Sequence, residues 1–137
     1  MASTERRIPI AGDTDIVEAR QAARELARGL GFGMVDQSRI ATAVSELTRN
    51  VVRYATNSQG TAVIRALPTS TRGVGIEIVV ADDGPGIADV ALVQQAGYSS
   101  GRGLGMGLSG SRRLMDEMEI DSAPGHGTTV TIRKWRR

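Results

Sequence analysis

Ile40, Val44, Leu47, Val51 and Tyr54 recur every three or four residues, so residues 36–55 read as one long helix with a single apolar face. Such a helix gains its stability from packing, and its stripe demands an apolar surface to lie on. Upstream, Ile16, Val17, Ala19, Ala23, Leu26, Ala27 and Leu30 form a second stripe, which Asp13 or Thr14 is placed to cap and Gly29, Gly31 and Gly33 to end. Downstream, residues 61–67 and 74–81 carry strand-forming side chains joined by a turn-rich link at 68–73. Ile76, Ile78, Val79 and Val80 make the second of these strands the more deeply buried. Residues 6–10 alternate as an edge strand, and Asn57 to Gly60 closes the long helix in a turn.

The second half alternates again. Residues 88–96 suit a short helix, 97–102 a flexible stretch, and 104–118 a third long helix with Leu108, Met115 and Met118 inward. Strands at 119–122 and 128–133 finish the chain, joined by a glycine-rich turn at 123–127. The expected architecture is α/β: a two-layer α/β sandwich, its sheet mixed but mostly antiparallel, with helices on one face. At 137 residues, the chain reads as one domain spanning 1–137.

Composition narrows the function classes. No apolar run approaches the roughly 18 residues of a membrane span, and the first residues lack a signal peptide's apolar stretch. The absence of cysteine excludes thiolate metal sites and fits a cytoplasmic home, and a single histidine, His126, excludes any site built on two imidazoles. Net charge is only +2, with excess base at Arg133-Lys134-Trp135-Arg136-Arg137, which reads as a solvated terminus. Aromatic residues total 3%, too few for the stacking platforms of a single-strand binder, so no nucleic acid partner is expected.

Four short motifs remain. Glu46 and Asn50 lie one turn apart on the long helix, so a carboxylate and a carboxamide share one face, which Arg53 and Asn57 extend. An Asn oxygen is a hard ligand suited to Mg²⁺, and a carboxylate near an incoming hydroxyl can serve as general base; the plainer reading is a solvated polar face. Asp82 ends the buried strand and opens Asp82-Asp83-Gly84-Pro85-Gly86. Its carboxylate would accept a hydrogen bond from an exocyclic amine such as adenine N6, with Gly84 and Gly86 admitting the flat base; an ordinary Asp-Gly turn is the alternative. Gly101 to Gly107 runs into a helix, so backbone N–H groups of Gly103, Leu104, Gly105 and Gly107 could cradle phosphates, with Arg102 the nearest cation. Neither a Rossmann fingerprint nor a Gly-Lys-Ser/Thr P-loop fits. Gly127-Thr128-Thr129 opens the last strand, where a threonine hydroxyl could meet the base or a bound water. His126, in a glycine turn without a catalytic partner, reads as an exposed loop residue.

In this order the motifs resemble the GHKL ATPase superfamily across nearly the whole chain: an N box at Glu46–Asn50, a G1 box at Asp82–Gly86, a G2 box at Gly103–Gly107 and a final Gly-Thr at Gly127–Thr128. Glu46-Leu47-Thr48-Arg49-Asn50-Val51-Val52-Arg53-Tyr54 and the ending Gly-Thr-Thr-Val are most similar to RsbT-type anti-sigma-regulatory serine/threonine kinases. The resemblance implies a Bergerat fold that binds ATP and Mg²⁺. Asn50 would hold the metal and Asp82 would read adenine. Gly84, Gly86 and Thr128 would line the base, and Gly103, Gly105 and Gly107 would wrap the phosphates. Glu46 would deprotonate the acceptor hydroxyl. The implied partners are a STAS-domain antagonist as substrate and a phosphatase activated by binding; direct binding of a sigma factor is left open. The lid at 88–102 is shorter than in many histidine kinases and gyrases. A nucleotide-dependent anti-sigma factor or adaptor acting by binding alone is the second reading. A detached histidine-kinase ATPase domain is the third.

Overall fold

The computed structural model describes residues 5–54, 59–83, 110–122 and 127–136. In chain order they form β1 (Glu5–Ile10), α1 (Asp13–Gly29), α2 (Met34–Tyr54), β2 (Gly60–Ser70), β3 (Gly73–Asp82), β4 (Glu117–Ser122) and β5 (Thr128–Trp135). One sheet results, ordered β1-β2-β3-β5-β4, with β1 at an edge as expected. All four pairings are antiparallel, so the parallel component of a mixed sheet is absent among the described residues. Short links at 71–72 and 123–127 enforce this for β2–β3 and β4–β5, since a parallel neighbour needs a crossover of a dozen residues or more.

Period-two alternation divides the sheet into two unlike faces. Cross-strand rows Ile8–Ala62–Val80–Val130–Ile120 and Ile64–Ile78–Ile132–Met118 look toward the helices. They close the core with Ile40, Ala43, Val44, Leu47 and Val51 of α2. The Tyr54 side chain lies outside the described part. On α1 the buried positions are Ile16 and four alanines (Ala19, Ala22, Ala23 and Ala27), and the small side chains let its backbone come close to α2. Val17, expected on the buried stripe, is 42% exposed because it sits on the shoulder away from α2 and the sheet.

Helix ends follow local chemistry. Gly12, not Asp13 or Thr14, occupies the N-cap of α1, and the Asp15 carboxylate reaches back to accept from the Ala11 and Gly12 N–H groups at 2.8 and 3.1 Å. At the other end Gly31 adopts φ +90°, Phe32 N–H donates to the Ala27 carbonyl and Gly31 N–H to that of Arg28, which is a Schellman closure.

The opposite sheet face carries charge. Glu5, Arg65, Glu77, Arg133 and Glu117 stand in one row across all five strands with alternating sign. Glu77 is only 5% exposed and accepts from Arg65 Nε at 2.6 Å and Arg133 Nε at 2.7 Å. Burial pushes its carboxyl up, but the two guanidinium hydrogen bonds and their charges outweigh that and hold it below the ordinary 4.5. Arg133 also donates to Glu117 and Glu119, while Arg72 pairs with Glu117 and stacks 3.8 Å over the Trp135 ring.

Two expectations for the chain's end are corrected. The helix expected through 118 stops at Leu114, and β4 begins at Glu117 rather than 119. Pairing with β5 overrides helical spacing there: Asp116 N–H donates to the Arg133 carbonyl, and the Asp116 carboxylate accepts from Trp135 N–H. Met115 and Met118 are buried as expected; Leu108 and the segments at 88–96 and 97–102 lie outside the described residues. As far as the described residues run, to Arg136, the basic end is not a free solvated tail. Strand β5 runs on to Trp135, Lys134 is buried with its Nζ donating to the Leu114 carbonyl, and Arg136 donates to the Leu30 carbonyl at the end of α1.

Candidate functional site

The helix-facing rows of the sheet end in one that is no longer apolar. Ile10, Gly60, Asp82, Thr128 and Ser122 are successive register partners across β1, β2, β3, β5 and β4. Asp82 and Thr128, some 46 positions apart in sequence, therefore face each other directly at the sheet's end. Backbone crowding explains the glycines beside them. A Cβ on Gly60 would strike the Ala81 carbonyl oxygen, and Gly127, at φ +75°, lies against the backbone of Asp82 and Asp83. Gln59, Gly60, Thr61, Ala81, Asp82 and Asp83 line an open cleft of about 320 Å³ at this end.

The hydroxyl of Thr128 is fixed from the next strand. Ser122 Oγ lies 2.9 Å from Thr128 Oγ1 and donates to the Gly127 carbonyl, also at 2.9 Å. Ser122 therefore holds both the strand's first hydroxyl and the turn before it. The sequence offered no motif for this residue, since its role exists only once β4 and β5 pair.

Helix α2 supplies the upper wall. Val51 packs so closely on Gly60 that its Cγ1 would lie 2.8 Å from a Cβ there. Its neighbour Asn50 is thereby carried to the Asp82 end of the sheet. The Asn50 Nδ2 is buried and finds no hydrogen-bond partner. A buried amide N–H group without a partner costs free energy unless a ligand completes it, and the two ends of a carboxamide interchange by a half-turn. That fits a group meant to meet phosphate oxygens or a Mg²⁺ ion, which takes one or two protein oxygens and fills the rest from phosphate and water. Glu46 stands one turn back on the same face, half-buried, and its Oε1 accepts from Arg49 Nη1 at 2.7 Å. Thr48, between them in sequence, turns inward and donates to the Val44 carbonyl, so positions 46, 49 and 50 carry the polar face here and the exposed Arg53 continues it by one turn.

The structure thus brings Asn50, Asp82 and Thr128 to one end of the sandwich, with Glu46 on the adjoining turn. Gly84, Gly86, Arg102, Gly103, Leu104, Gly105, Gly107, Asn57 and His126 lie outside the described residues. Gly60, read from sequence as the end of a turn, is instead the first residue of β2 and the floor under Val51. Arg49 belongs to this site as well, and its signal in the sequence is a cation three residues after a glutamate on a helix. Among the described residues no helix is long and apolar enough to cross a membrane.

Comparison with known proteins accords with this geometry. A family model described as "Histidine kinase-like ATPase domain" matches residues 11–134. Over 131 residues the chain is 46% identical to serine/threonine-protein kinase RsbT of Bacillus subtilis (strain 168), covering 95% of this chain and 96% of that one. Over 121 residues it is 34% identical to the anti-sigma F factor of Caldanaerobacter subterraneus subsp. tengcongensis, covering 85% and 82%. Among solved structures, the RsbU and RsbW domains of Rv1364c from Mycobacterium tuberculosis align with a TM-score of 0.65 at 24% identity, over 96% of this chain and 32% of that one. That last likeness speaks for the fold alone.

Proposed function

The chain belongs to the histidine kinase-like ATPase domain family as an ATP-binding serine/threonine-protein kinase of the partner-switching kind, and we propose that it phosphorylates a serine or threonine of a STAS-domain antagonist. In the same reading it activates a phosphatase by binding once that antagonist releases it. The observation that carries the proposal is the carboxylate of Glu46 beside Asn50, on the one polar face that α2 turns toward the Asp82 end of the sheet. A site that only bound nucleotide would need Asn50 and Asp82 but has no use for Glu46.

Each residue then has a role that follows from its position. Asp82 accepts from the adenine amine, where guanine would present a carbonyl and be rejected. Thr128, held by Ser122, lies opposite Asp82 to meet the same base or a bound water. Mg²⁺ bound with the nucleotide neutralises phosphate charge, and Asn50 is the described residue that would hold it. Gly84, Gly86, Arg102, Gly103, Leu104, Gly105 and Gly107 are assigned to the base and phosphates by motif. In the transfer step Glu46 takes the proton of the acceptor hydroxyl. The acceptor's hydroxyl oxygen bonds to the γ-phosphorus as the bond to the bridging oxygen breaks and ADP leaves. Phosphoryl transfer asks mainly for positioning and charge neutralisation, which this small set supplies.

The test is Glu46→Gln, assayed with radiolabelled ATP, Mg²⁺ and purified STAS-domain proteins. Wild type should place acid-stable label on one of them, and the variant should bind ATP yet transfer label at roughly a hundredth of the wild-type rate or less. Undiminished labelling by the variant removes Glu46 from the mechanism. The 34% identity to an anti-sigma F factor favours one other reading, a nucleotide-gated binder of a sigma factor. In that case no STAS protein is labelled and ATP alone alters sigma-factor binding.

A further inference from the structure

We propose that Arg49 is the positioning residue for Glu46, resting on the reading of Glu46 as general base. The two side chains are joined by a charge-assisted hydrogen bond, Arg49 Nη1 to Glu46 Oε1, at 2.7 Å. At about 100° per residue, Arg49 lies on one flank of Glu46 along α2 and Asn50 on the other. The carboxylate is therefore bracketed between a guanidinium and the carboxamide assigned to the metal.

The pairing matters because of what a glutamate otherwise does. Its side chain has three rotatable bonds, and at 39% exposure packing does not immobilise it. A general base must come within hydrogen-bond reach of one hydroxyl in one orientation, and small misplacements are costly in rate. By occupying Oε1, Arg49 removes most of this freedom and leaves Oε2 as the oxygen open to an acceptor. Only one of the five guanidinium donors is spent on the contact, and arginine keeps its charge at every working pH. As a stability device the pair is weak, since half-exposed ion pairs three residues apart contribute little. Thr48 and Val51, which carry the packing on either side, do not depend on it.

The experiment compares wild type, Arg49→Gln, Arg49→Lys, Glu46→Gln and the Glu46→Gln/Arg49→Gln double variant, all in the full chain. Single-turnover transfer from ATP to the STAS-domain protein labelled by wild type gives the rate and the acceptor KM. Titration with a fluorescent methylanthraniloyl-ATP gives nucleotide affinity. Arg49→Gln should slow transfer by roughly tenfold, a fraction of what a general base supplies, with acceptor KM, nucleotide affinity and melting temperature unchanged. Arg49→Lys should recover part of the rate, and the double variant should be no slower than Glu46→Gln alone. Wild-type transfer by Arg49→Gln overturns the proposal, as does a further loss in the double variant, which would give Arg49 a role independent of Glu46. If Glu46→Gln itself transfers normally, the assignment of the base has failed instead, and the two failures are thereby told apart.

Discussion

Val51 of α2 rests on Gly60 of β2 with no space for a methyl group between them, and Gly60 is the register partner of Asp82. This contact thus holds the last turns of α2 close over the sheet and brings Asn50 to the end where Asp82 and Thr128 stand. Close approach of helix to sheet, made possible by a glycine, is what converts three motifs distant in sequence into one wall and floor.

Replacing Gly60 with alanine should therefore damage both fold and site. The added Cβ meets the Ala81 carbonyl oxygen and Val51, and backbone cannot yield as a flexible side chain would. Overpacking of this kind costs about 1–3 kcal/mol. Urea unfolding should show that loss, and titration with ATP should show weaker binding in the fraction still folded. Wild-type values in both would mean that α2 tilts without consequence.

For Asp82, the informative change is to asparagine, which preserves shape and removes the charge. Loss of a carboxylate acceptor should weaken ATP binding by about 1.5–3 kcal/mol, with the discrimination between ATP and GTP reduced. Competition titration with the two nucleotides measures both. Retained preference for ATP at wild-type affinity would take the adenine contact away from this residue.

Ser122→Ala tests a contact that no motif announces. The variant frees the Gly127 carbonyl and Thr128 hydroxyl, at a cost of about 1 kcal/mol in stability. Nucleotide affinity should fall in parallel with that of Thr128→Ala, and the double variant should be little worse than either single one. Fully additive losses would show that the two hydroxyls act separately.

The charge ladder predicts an acid limb of stability. Arg65 and Arg133 hold Glu77 below its ordinary range, so the native state binds fewer protons than the unfolded chain as pH falls through the carboxylate region. The contribution is full above about pH 4.5, the ordinary value, and is lost as pH drops through the lower folded value. Melting temperature followed from pH 7 to pH 3 should fall more steeply for wild type than for Glu77→Gln. The variant should be less stable at pH 7, where it leaves two guanidinium groups short of a partner. Parallel curves for the two proteins would remove Glu77 from the acid response.

Each element's own pattern decided much of the fold. The stripe Ile40–Val44–Leu47–Val51 is buried against the sheet, β1 is an edge, and Ile76, Ile78 and Val80 lie in the deepest strand, because period and polarity alone dictate those faces. Elsewhere a distant segment competed and won. Helical spacing through Met118 gave way to pairing of Glu117–Ser122 with β5, and the basic end became a strand because Lys134 and Arg133 found partners on α2, β3 and β4.

By itself the sequence determined the class of fold and pointed to the polar residues proposed for the site: Glu46 and Asn50 one turn apart, Asp82 at a strand's end, Thr128 at another's start. Those follow from spacing along a helix or from a residue's place at a strand terminus, which are local quantities. Tertiary structure alone decided that Asp82 faces Thr128, that Ser122 secures that threonine, and that Gly60 sets Asn50 over the sheet's end. Register and helix height depend on long-range pairing and on the absence of a single methyl group, and neither is encoded in any one stretch of chain.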